Sequence, residues 1–372
     1  MNIGFDAKRA FSNRSGLGNY SRSTIRLLSD FYPENKYFLF SKKEKQSLIQ
    51  PSENQLIIGP GQGISASFPP LWRSWGIYND IKNNKLDIYH GLSNELPLSI
   101  KKTGAKSVVT IHDLIFLRFP EYYPFIDRKI YFYKFRHACR IADKIIAVSE
   151  ATKQDIISFL GISPDRIEVV YQTCDPVFRT KVTSEKRAET RTKYSLPENF
   201  ILYLGTIEKR KNALNLVKAY LEQNIEIPLV IVGKPTAFLT EIKEYLKQHD
   251  RQESILFRHT VESRDIPSIY QSAQVFVYPS VFEGFGIPIL EALYSGVPVI
   301  TSTGSCFHET GGDAALYCDP GNIGEMGKCI TDVLNSEDTR KSMIEKGFLH
   351  ASKFDEEKVA ANLMGVYMNL LQ

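Results

Sequence analysis

The segment Val275-Phe276-Val277-Tyr278-Pro279-Ser280-Val281-Phe282-Glu283-Gly284-Phe285-Gly286-Ile287-Pro288-Ile289-Leu290-Glu291 decides how the rest of the chain is read. Its apolar start, Val275–Tyr278, has the composition of a strand buried on both faces of a parallel sheet. Pro279 and Ser280 end that strand. Proline is preorganised for a first helical turn, and Leu290, Glu291 and Ala292 favour helix, so a helix is expected over Pro288–Tyr294 with Glu291 in its first turn. Strand, glycine loop and helix together present backbone N–H groups and a positive dipole end to an anionic ligand. Glu283 falls in the loop, and side chains of a first turn lean back towards it, so both carboxylates are expected to face one ligand. Carboxylates repel phosphate and accept hydrogen bonds from sugar hydroxyls. The expectation is therefore that the backbone of Gly284, Phe285, Gly286 and Ile287 lies against a phosphate or sugar, with the acids on the hydroxyls around it. An alternative stays open, in which Glu291 only complements the helix dipole.

Outward from this segment the same grammar repeats. In the second half, strands are expected at Phe200–Leu204, Leu229–Val232, Ile255–Arg258, Gln274–Tyr278, Pro298–Thr301 and Ala315–Tyr317, alternating with amphipathic helices. In the first half they are expected at Ile3–Phe5, Tyr37–Phe40, Gln55–Ile58, Asp87–His90, Ser107–Ile111 and Lys144–Val148. Such alternation gives parallel sheets covered on both faces. The fold class is α/β, with two Rossmann-like doubly wound domains facing across a cleft. The expected division is 1–180 for the first domain, 181–199 for a polar linker without apolar periodicity, and 200–355 for the second. Open α/β sheets bind ligands beyond the carboxyl ends of their strands. A dehydrogenase built on the same architecture is argued against, because Ser15-Gly16-Leu17-Gly18 lies nine residues past Asp6 and is not a tight Gly-x-Gly-x-x-Gly elbow.

The 372 residues suffice for two cores, and 43% hydrophobic with 24% charged residues is the composition of a globular enzyme. Met1–Asp6 reads directly as a strand, so no leader is expected, and no window has the length and apolarity of a membrane span. The five cysteines are odd in number and lack metal-ligand spacing, which suits a reducing compartment. A cytoplasmic location is expected, with peripheral contact at the inner face of the cytoplasmic membrane as a further expectation. Charge is unevenly spread: residues 1–180 hold 25 Lys and Arg against 17 Asp and Glu, and the remainder 21 against 25. A basic first half suits an anionic acceptor or an anionic lipid surface, or is simply a solvated basic face. The segments Phe68–Trp75 and Phe116–His137 mix aromatics with Arg and Lys in a way that suits a membrane interface or a lipid-linked acceptor, although aromatic stripes also build cores. No nucleic-acid partner is indicated.

Three further segments hold candidate chemistry. Gly205-Thr206-Ile207-Glu208-Lys209-Arg210-Lys211-Asn212 follows a strand and places Arg210 and Lys211 at an expected helix start, where cations oppose the dipole unless an anion is near. A diphosphate would be that anion, forked by Arg and met by a Lys point charge. Thr110-Ile111-His112-Asp113-Leu114 puts His112 at the carboxyl end of a strand, pointing into the cleft, and His90 ends the preceding strand as a weaker candidate. Ser15-Gly16-Leu17-Gly18 reads either as a glycine loop or as a turn and helix start.

Glu283-Gly-Phe-Gly-Ile-Pro-Ile-Leu-Glu291, with the Thr206–Asn212 and His112–Leu114 segments, resembles the retaining glycosyltransferases of family 4 (group 1), in particular bacterial mannosyltransferases. The resemblance implies a GT-B fold whose last helix, here within 356–372, packs back onto an acceptor-binding first domain. It also implies a nucleotide diphosphate sugar as co-substrate with no other cofactor, and no metal. Arg210 and Lys211 would meet the donor phosphates, and Glu283 the sugar hydroxyls. The ribose would fall to Glu291, and the nucleotide base to the main chain at Val261. Gly16 and Gly18 would approach phosphate and acceptor, and His112 the transferred sugar, through its ring or its carbonyl. Some relatives carry an arginine directly after the glycine where this chain has Thr206. The implied activity is transfer of a hexose, with mannose from GDP-mannose favoured, to a glycan or lipid-linked glycan in surface polysaccharide or lipopolysaccharide synthesis. The alternatives are a nucleotide-sugar epimerase, a phosphorylase or a non-catalytic nucleotide-sugar-binding scaffold.

Overall fold

A computed structural model describes residues 1–42, 48–60, 72–251, 253 and 255–372. The chain divides into two compact units, Met1–Thr173 with Phe354–Gln372, and Cys174–Lys353. Each is a parallel sheet between helices.

The first unit holds β1 (Asn2–Asp6), β2 (Lys36–Phe40), β3 (Gln55–Ile58), β4 (Ile88–Gly91), β5 (Lys106–Ile111), β6 (Lys144–Ala147) and β7 (Ile167–Val169). Their order is β3-β2-β1-β4-β5-β6-β7, and every pairing is parallel. The order reverses between β1 and β4, so the connections leaving these two strands run to opposite faces and open a crevice at their carboxyl ends. Ile3, Phe5, Ile88 and Val108 pack on one face, and Phe38, Phe40, Tyr89 and Val109 on the other. The terminal helix Glu356–Leu371 completes the first of these cores, with Leu363, Met364 and Tyr367 buried beside Leu27 and Leu28 of the helix Gly16–Phe31. Arg26 also pairs with Glu356 there.

The second unit repeats the plan with β8 (Ile201–Leu204), β9 (Leu229–Val232), β10 (Ile255–Arg258), β11 (Val275–Tyr278), β12 (Val299–Ser302) and β13 (Ala315–Cys318). Its order, β10-β9-β8-β11-β12-β13, reverses between β8 and β11. β11, the strand of the opening segment, is therefore central, and all four of its residues are buried.

The expected linker over 181–199 is instead part of the second unit. Thr183 caps a helix, Ser184–Tyr194, which ends at Ser195 with a φ of 47°. That helix has little apolar surface and is held by charge. Lys193 Nζ lies 2.8 Å from buried Asp265, Tyr194 donates its hydroxyl to the same carboxylate at 2.8 Å, and Lys186 lies 3.3 Å away. Arg258 secures the carboxyl end as well, donating to the carbonyls of Tyr194 and Ser195. A reading based on apolar periodicity finds nothing in such a segment.

The aromatic segments are also partly inward. Trp72 is buried and donates to Asp80 at 2.7 Å, while Arg73 pairs with Asp6. Phe68, Pro69, Pro70 and Leu71 lie outside the described residues. Phe116 is core, ringed edge-on by Tyr123, Tyr131 and Phe135.

Candidate active site

In the second unit the site forms at the strand-order reversal, where the segments following β8 and β11 meet. After β8, residues Lys209–Lys211 make a separate 3-10 turn, and Asn212 in the left-handed region (φ 61°) redirects the chain into the helix Ala213–Glu222. Arg210 and Lys211, expected at the start of that helix, therefore stand in the turn ahead of it. The Arg210 carbonyl accepts from the Val281 amide at 2.9 Å, which ties this turn to the loop after β11.

Glu283 is the centre of that loop. Its Oε1 lies 2.8 Å from Arg210 Nη1 and 2.6 Å from Lys211 Nζ, and it accepts from Ser280 Oγ at 2.5 Å and Tyr278 Oη at 3.1 Å. All four contacts converge on one oxygen. Burial by itself would raise the carboxyl pKa, but the Lys211 and Arg210 charges with the Lys211 and Ser280 hydrogen bonds bring it down to about 2. The anion expected beside the cation pair is thus supplied by the chain itself. Ser305 fixes the Glu283 backbone, with its hydroxyl 3.1 Å from the Glu283 amide and 2.8 Å from its carbonyl. Glu208 holds the far side of Arg210 at 2.7 Å, and Lys211 also donates to Tyr278 Oη at 2.6 Å.

The helix runs from Ile287 to Tyr294, with Gly286 ahead of it at φ 91°, a conformation that glycine adopts without penalty. Thr310 donates to the Phe285 carbonyl and holds the glycine loop against the following helix. Glu291 is the fifth helical residue, past the first turn in which it was expected. It accepts from Tyr270 Oη at 3.1 Å and shares none of the hydrogen-bond partners of Glu283. Burial lifts its pKa to about 8, against the Tyr270 hydrogen bond and helped by Asp175. One glutamate is thus held ionised and the other holds its proton. Val261 lies in the loop after β10, apart from these contacts.

The remaining candidates belong to the first unit. His112 follows β5 and is 7% exposed. Its Nε2 lies 2.9 Å from the Leu92 carbonyl, the Tyr20 ring stands edge-on at 4.5 Å, and burial pushes its pKa down to about 4. A neutral ring that donates through Nε2–H keeps Nδ1 as an acceptor. The His112 carbonyl accepts from Thr152 Oγ1 at 3.3 Å. His90 is not a cleft residue. It is fully buried between Tyr367 Oη at 2.6 Å and Thr110 Oγ1 at 2.8 Å, and joins the terminal helix to the sheet. Gly16 and Gly18 lie in the first turn of the helix Gly16–Phe31, not in a loop. Sequence reading missed Tyr278, Ser280, Ser305 and Tyr270. The position of Tyr278 and Ser280 at the end of a central strand was the available signal.

Two family models match the chain, "Glycosyl transferases group 1" over residues 186–350 and "Glycosyltransferase Family 4" over 45–178. The O-antigen chain mannosyltransferase B of Escherichia coli is 30% identical over 304 residues, covering 80% of this chain and 77% of that protein. The chain is a group 1 glycosyltransferase. The serotype-specific mannosyltransferase WbdA of Escherichia coli is 28% identical over 300 residues, and the alignment spans 77% of this glycosyltransferase but 36% of that longer protein. A sucrose-phosphate synthase from Thermosynechococcus elongatus superposes with a TM-score of 0.81 at 18% identity, covering 100% of this chain and 99% of the other. The fold of this glycosyltransferase is accordingly GT-B.

Proposed function

We propose that this glycosyltransferase moves a hexose, with mannose from GDP-mannose favoured, to a glycan or lipid-linked glycan of a surface polysaccharide or lipopolysaccharide, with retention at the anomeric carbon. The observation that carries this is the Arg210–Lys211–Glu283 cluster at the reversal of the second sheet, in a chain similar over most of its length to an O-antigen mannosyltransferase. Arg210 and Lys211 supply two fixed positive charges for a diphosphate whose charge grows as the glycosidic bond breaks. Glu283, ionised with its four contacts all on Oε1, keeps Oε2 for sugar hydroxyls. His112 accepts a further sugar hydroxyl at Nδ1, and Glu291 receives the ribose. The acceptor oxygen bonds to the anomeric carbon on the face that the diphosphate leaves, and its proton passes to the departing phosphate oxygen. The nucleotide diphosphate sugar is the co-substrate, and no other cofactor or metal enters this proposal.

A peripheral membrane contact belongs to the same proposal. The helix Phe125–Ile141 exposes Phe125 (63%), Ile126 (71%) and Tyr133 (66%) among Lys129, Lys134 and Arg140, a composition suited to an anionic lipid interface. Among the described residues no helix is long and apolar enough to cross a membrane.

The test is incubation with a panel of labelled nucleotide sugars and membrane-extracted lipid-linked glycans, followed by product analysis. Mannose transfer with an α-linked product supports the proposal. Transfer of another sugar overturns the donor, isomerisation of the donor favours an epimerase, and binding without turnover a scaffold.

A further inference from the structure

Two of the five cysteines meet. Cys318 is the last residue of β13 and is buried, and Cys329 lies on the helix Ile323–Asn335, where it packs against the same apolar core. Residues 319–322, between strand and helix, form a fixed turn. Asp319 Oδ1 accepts from the Gly321 amide at 2.7 Å, and the Asp319 amide donates to Glu325 Oε2 at 3.2 Å. Asn322 caps the helix by accepting from the Glu325 amide at 3.1 Å. This turn sets the register of helix against strand and brings the two thiols within hydrogen-bonding reach of each other. The Cys318 thiol is the donor, so the bond stabilises a Cys329 thiolate and lowers that pKa, whereas it raises that of Cys318. Cys139, Cys174 and Cys306 are buried, and burial pushes their thiols up. Cys329 is the one cysteine of the five that is not fully buried. It combines access with thiolate character beside a second sulfur, which is the arrangement of an oxidisable dithiol.

The same turn is tied to both arms of the Arg210–Lys211–Glu283 cluster. The Pro320 carbonyl accepts from Asn212 Nδ2 at 2.8 Å and from Asn215 Nδ2 at 3.1 Å. Asn212 is the left-handed residue that follows Lys211 and redirects the chain. On the other side, the Cys318 carbonyl accepts from the Thr303 amide at 2.9 Å, two residues ahead of the Ser305 that fixes Glu283. A disulfide brings its sulfurs to ~2.0 Å, well inside the contact of two thiols, so its closure draws the end of β13 and the helix together. The hydrogen bonds to Pro320 and from Thr303 already have ordinary lengths, and a shift of the turn in either direction weakens them.

We propose that Cys318 and Cys329 are a reversible oxidative modification site, and that closing their disulfide weakens the hold of the Arg210–Lys211 turn on a nucleoside diphosphate. The second half of this proposal rests on the donor site proposed above. The oxidant is hydrogen peroxide. The Cys329 thiolate attacks one peroxide oxygen, the O–O bond breaks, and Cys329 becomes a sulfenic acid while the leaving oxygen takes up a proton and departs as water. The Cys318 sulfur then attacks that of Cys329. The S–S bond forms, the S–O bond breaks, and the hydroxyl leaves with the Cys318 proton as a second water. Two thiols lose two electrons and two protons, and the peroxide gains them. A thiol reductant reverses the change. The test starts from the whole chain, reduced with dithiothreitol, treated with equimolar hydrogen peroxide and mapped by mass spectrometry. Cleavage after Lys328 separates the two cysteines, and cleavage after Glu309 separates Cys318 from Cys306. The expected result is one linked pair of fragments, lighter by two hydrogens, that comes apart with dithiothreitol. Linkage of other cysteines, oxidation of Cys329 without linkage, or no reaction overturns the site. Calorimetry with GDP and with UDP then compares the two forms, with melting curves confirming that both are folded. Oxidised wild type is expected to bind at least ~5-fold more weakly than reduced wild type, and Cys329→Ser equally with and without peroxide. Equal affinity of the linked and reduced forms overturns the effect on the donor site, as does a loss that Cys329→Ser shares. A reduced chain that binds neither nucleotide sinks the donor site itself, while the fragment map still decides the dithiol.

Discussion

Glu283 and Glu291 are eight positions apart and chemically opposite. Glu283 keeps its charge because Arg210 and Lys211 lie within 2.8 Å. Glu283→Ala is therefore expected to reduce transfer at least ~100-fold, since it removes the proposed sugar contact and leaves two partly buried cations without their carboxylate. Lys211→Ala is expected to act chiefly on the donor KM. Single-substrate kinetics with the donor varied distinguish the two. The raised pKa of Glu291 has a consequence for stability. The unfolded chain releases this proton near the ordinary value of 4.5 and the folded chain near 8, so between those pH values the folded state binds more protons and loses stability as pH rises. Glu291→Gln should remove this loss. Its melting temperature relative to wild type should climb from pH 5 to pH 8, by the equivalent of ~1–2 kcal/mol once partial solvent access is allowed for. A constant difference would mean that Glu291 is ionised in the folded chain. The residue types of the site were legible in the sequence, because glycines and acids after a central strand have few other uses. Their pairing was not. Lys211 and Glu283 are 72 positions apart, and no spacing rule announces that the cations meet the acid rather than a ligand alone.

Among the elements, strands were the most legible. Buried parallel strands are continuous apolar runs, and twelve of the thirteen among the described residues were read to within a residue or two. The exception, β7, is the three-residue edge strand Ile167–Val169 with an exposed glutamate in its middle, too short and too polar to stand out. The helix Ser184–Tyr194 escaped for the complementary reason, since its order comes from Asp265 and not from an apolar stripe. Asp265→Ala is expected to cost ~2–4 kcal/mol in denaturant unfolding, because it strips a buried carboxylate from Lys193, Lys186 and Tyr194. The Asp265 pKa sits at about 2, where Lys193, Tyr194 and Lys186 outweigh the opposing effect of burial. The stability it contributes is present above the unfolded value near 3.8 and is lost as pH falls through 2, so wild type and variant should converge in strong acid. The terminal helix gives a milder test. Tyr367→Phe removes one buried hydrogen bond to His90 and should cost about 1–3 kcal/mol by the same method.

Across the whole molecule, the two units share one plan, a parallel sheet whose order reverses once. The second unit puts a cation pair and an ionised acid at that reversal. The double α/β architecture was legible because the strand–helix grammar restarts at Phe200. The division between the units was less so. The chain changes unit at Thr173–Cys174 and again at Lys353–Phe354, because Phe178 packs on Tyr270 and the helix Ser184–Tyr194 is fastened to Asp265, both in the second unit, while the last helix supplies apolar residues to the core of the first. Both changes depend on long-range partners that local composition does not encode. In the function proposed above, the reversal of the second sheet holds a nucleotide diphosphate sugar. The most direct measurement is the calorimetric affinity of wild type and Lys211→Ala for GDP-mannose. The expected result is saturable binding by wild type and a dissociation constant at least ~10-fold weaker for the variant. Equal affinities, or no binding by a folded wild type to this or any other nucleotide sugar, would contradict it.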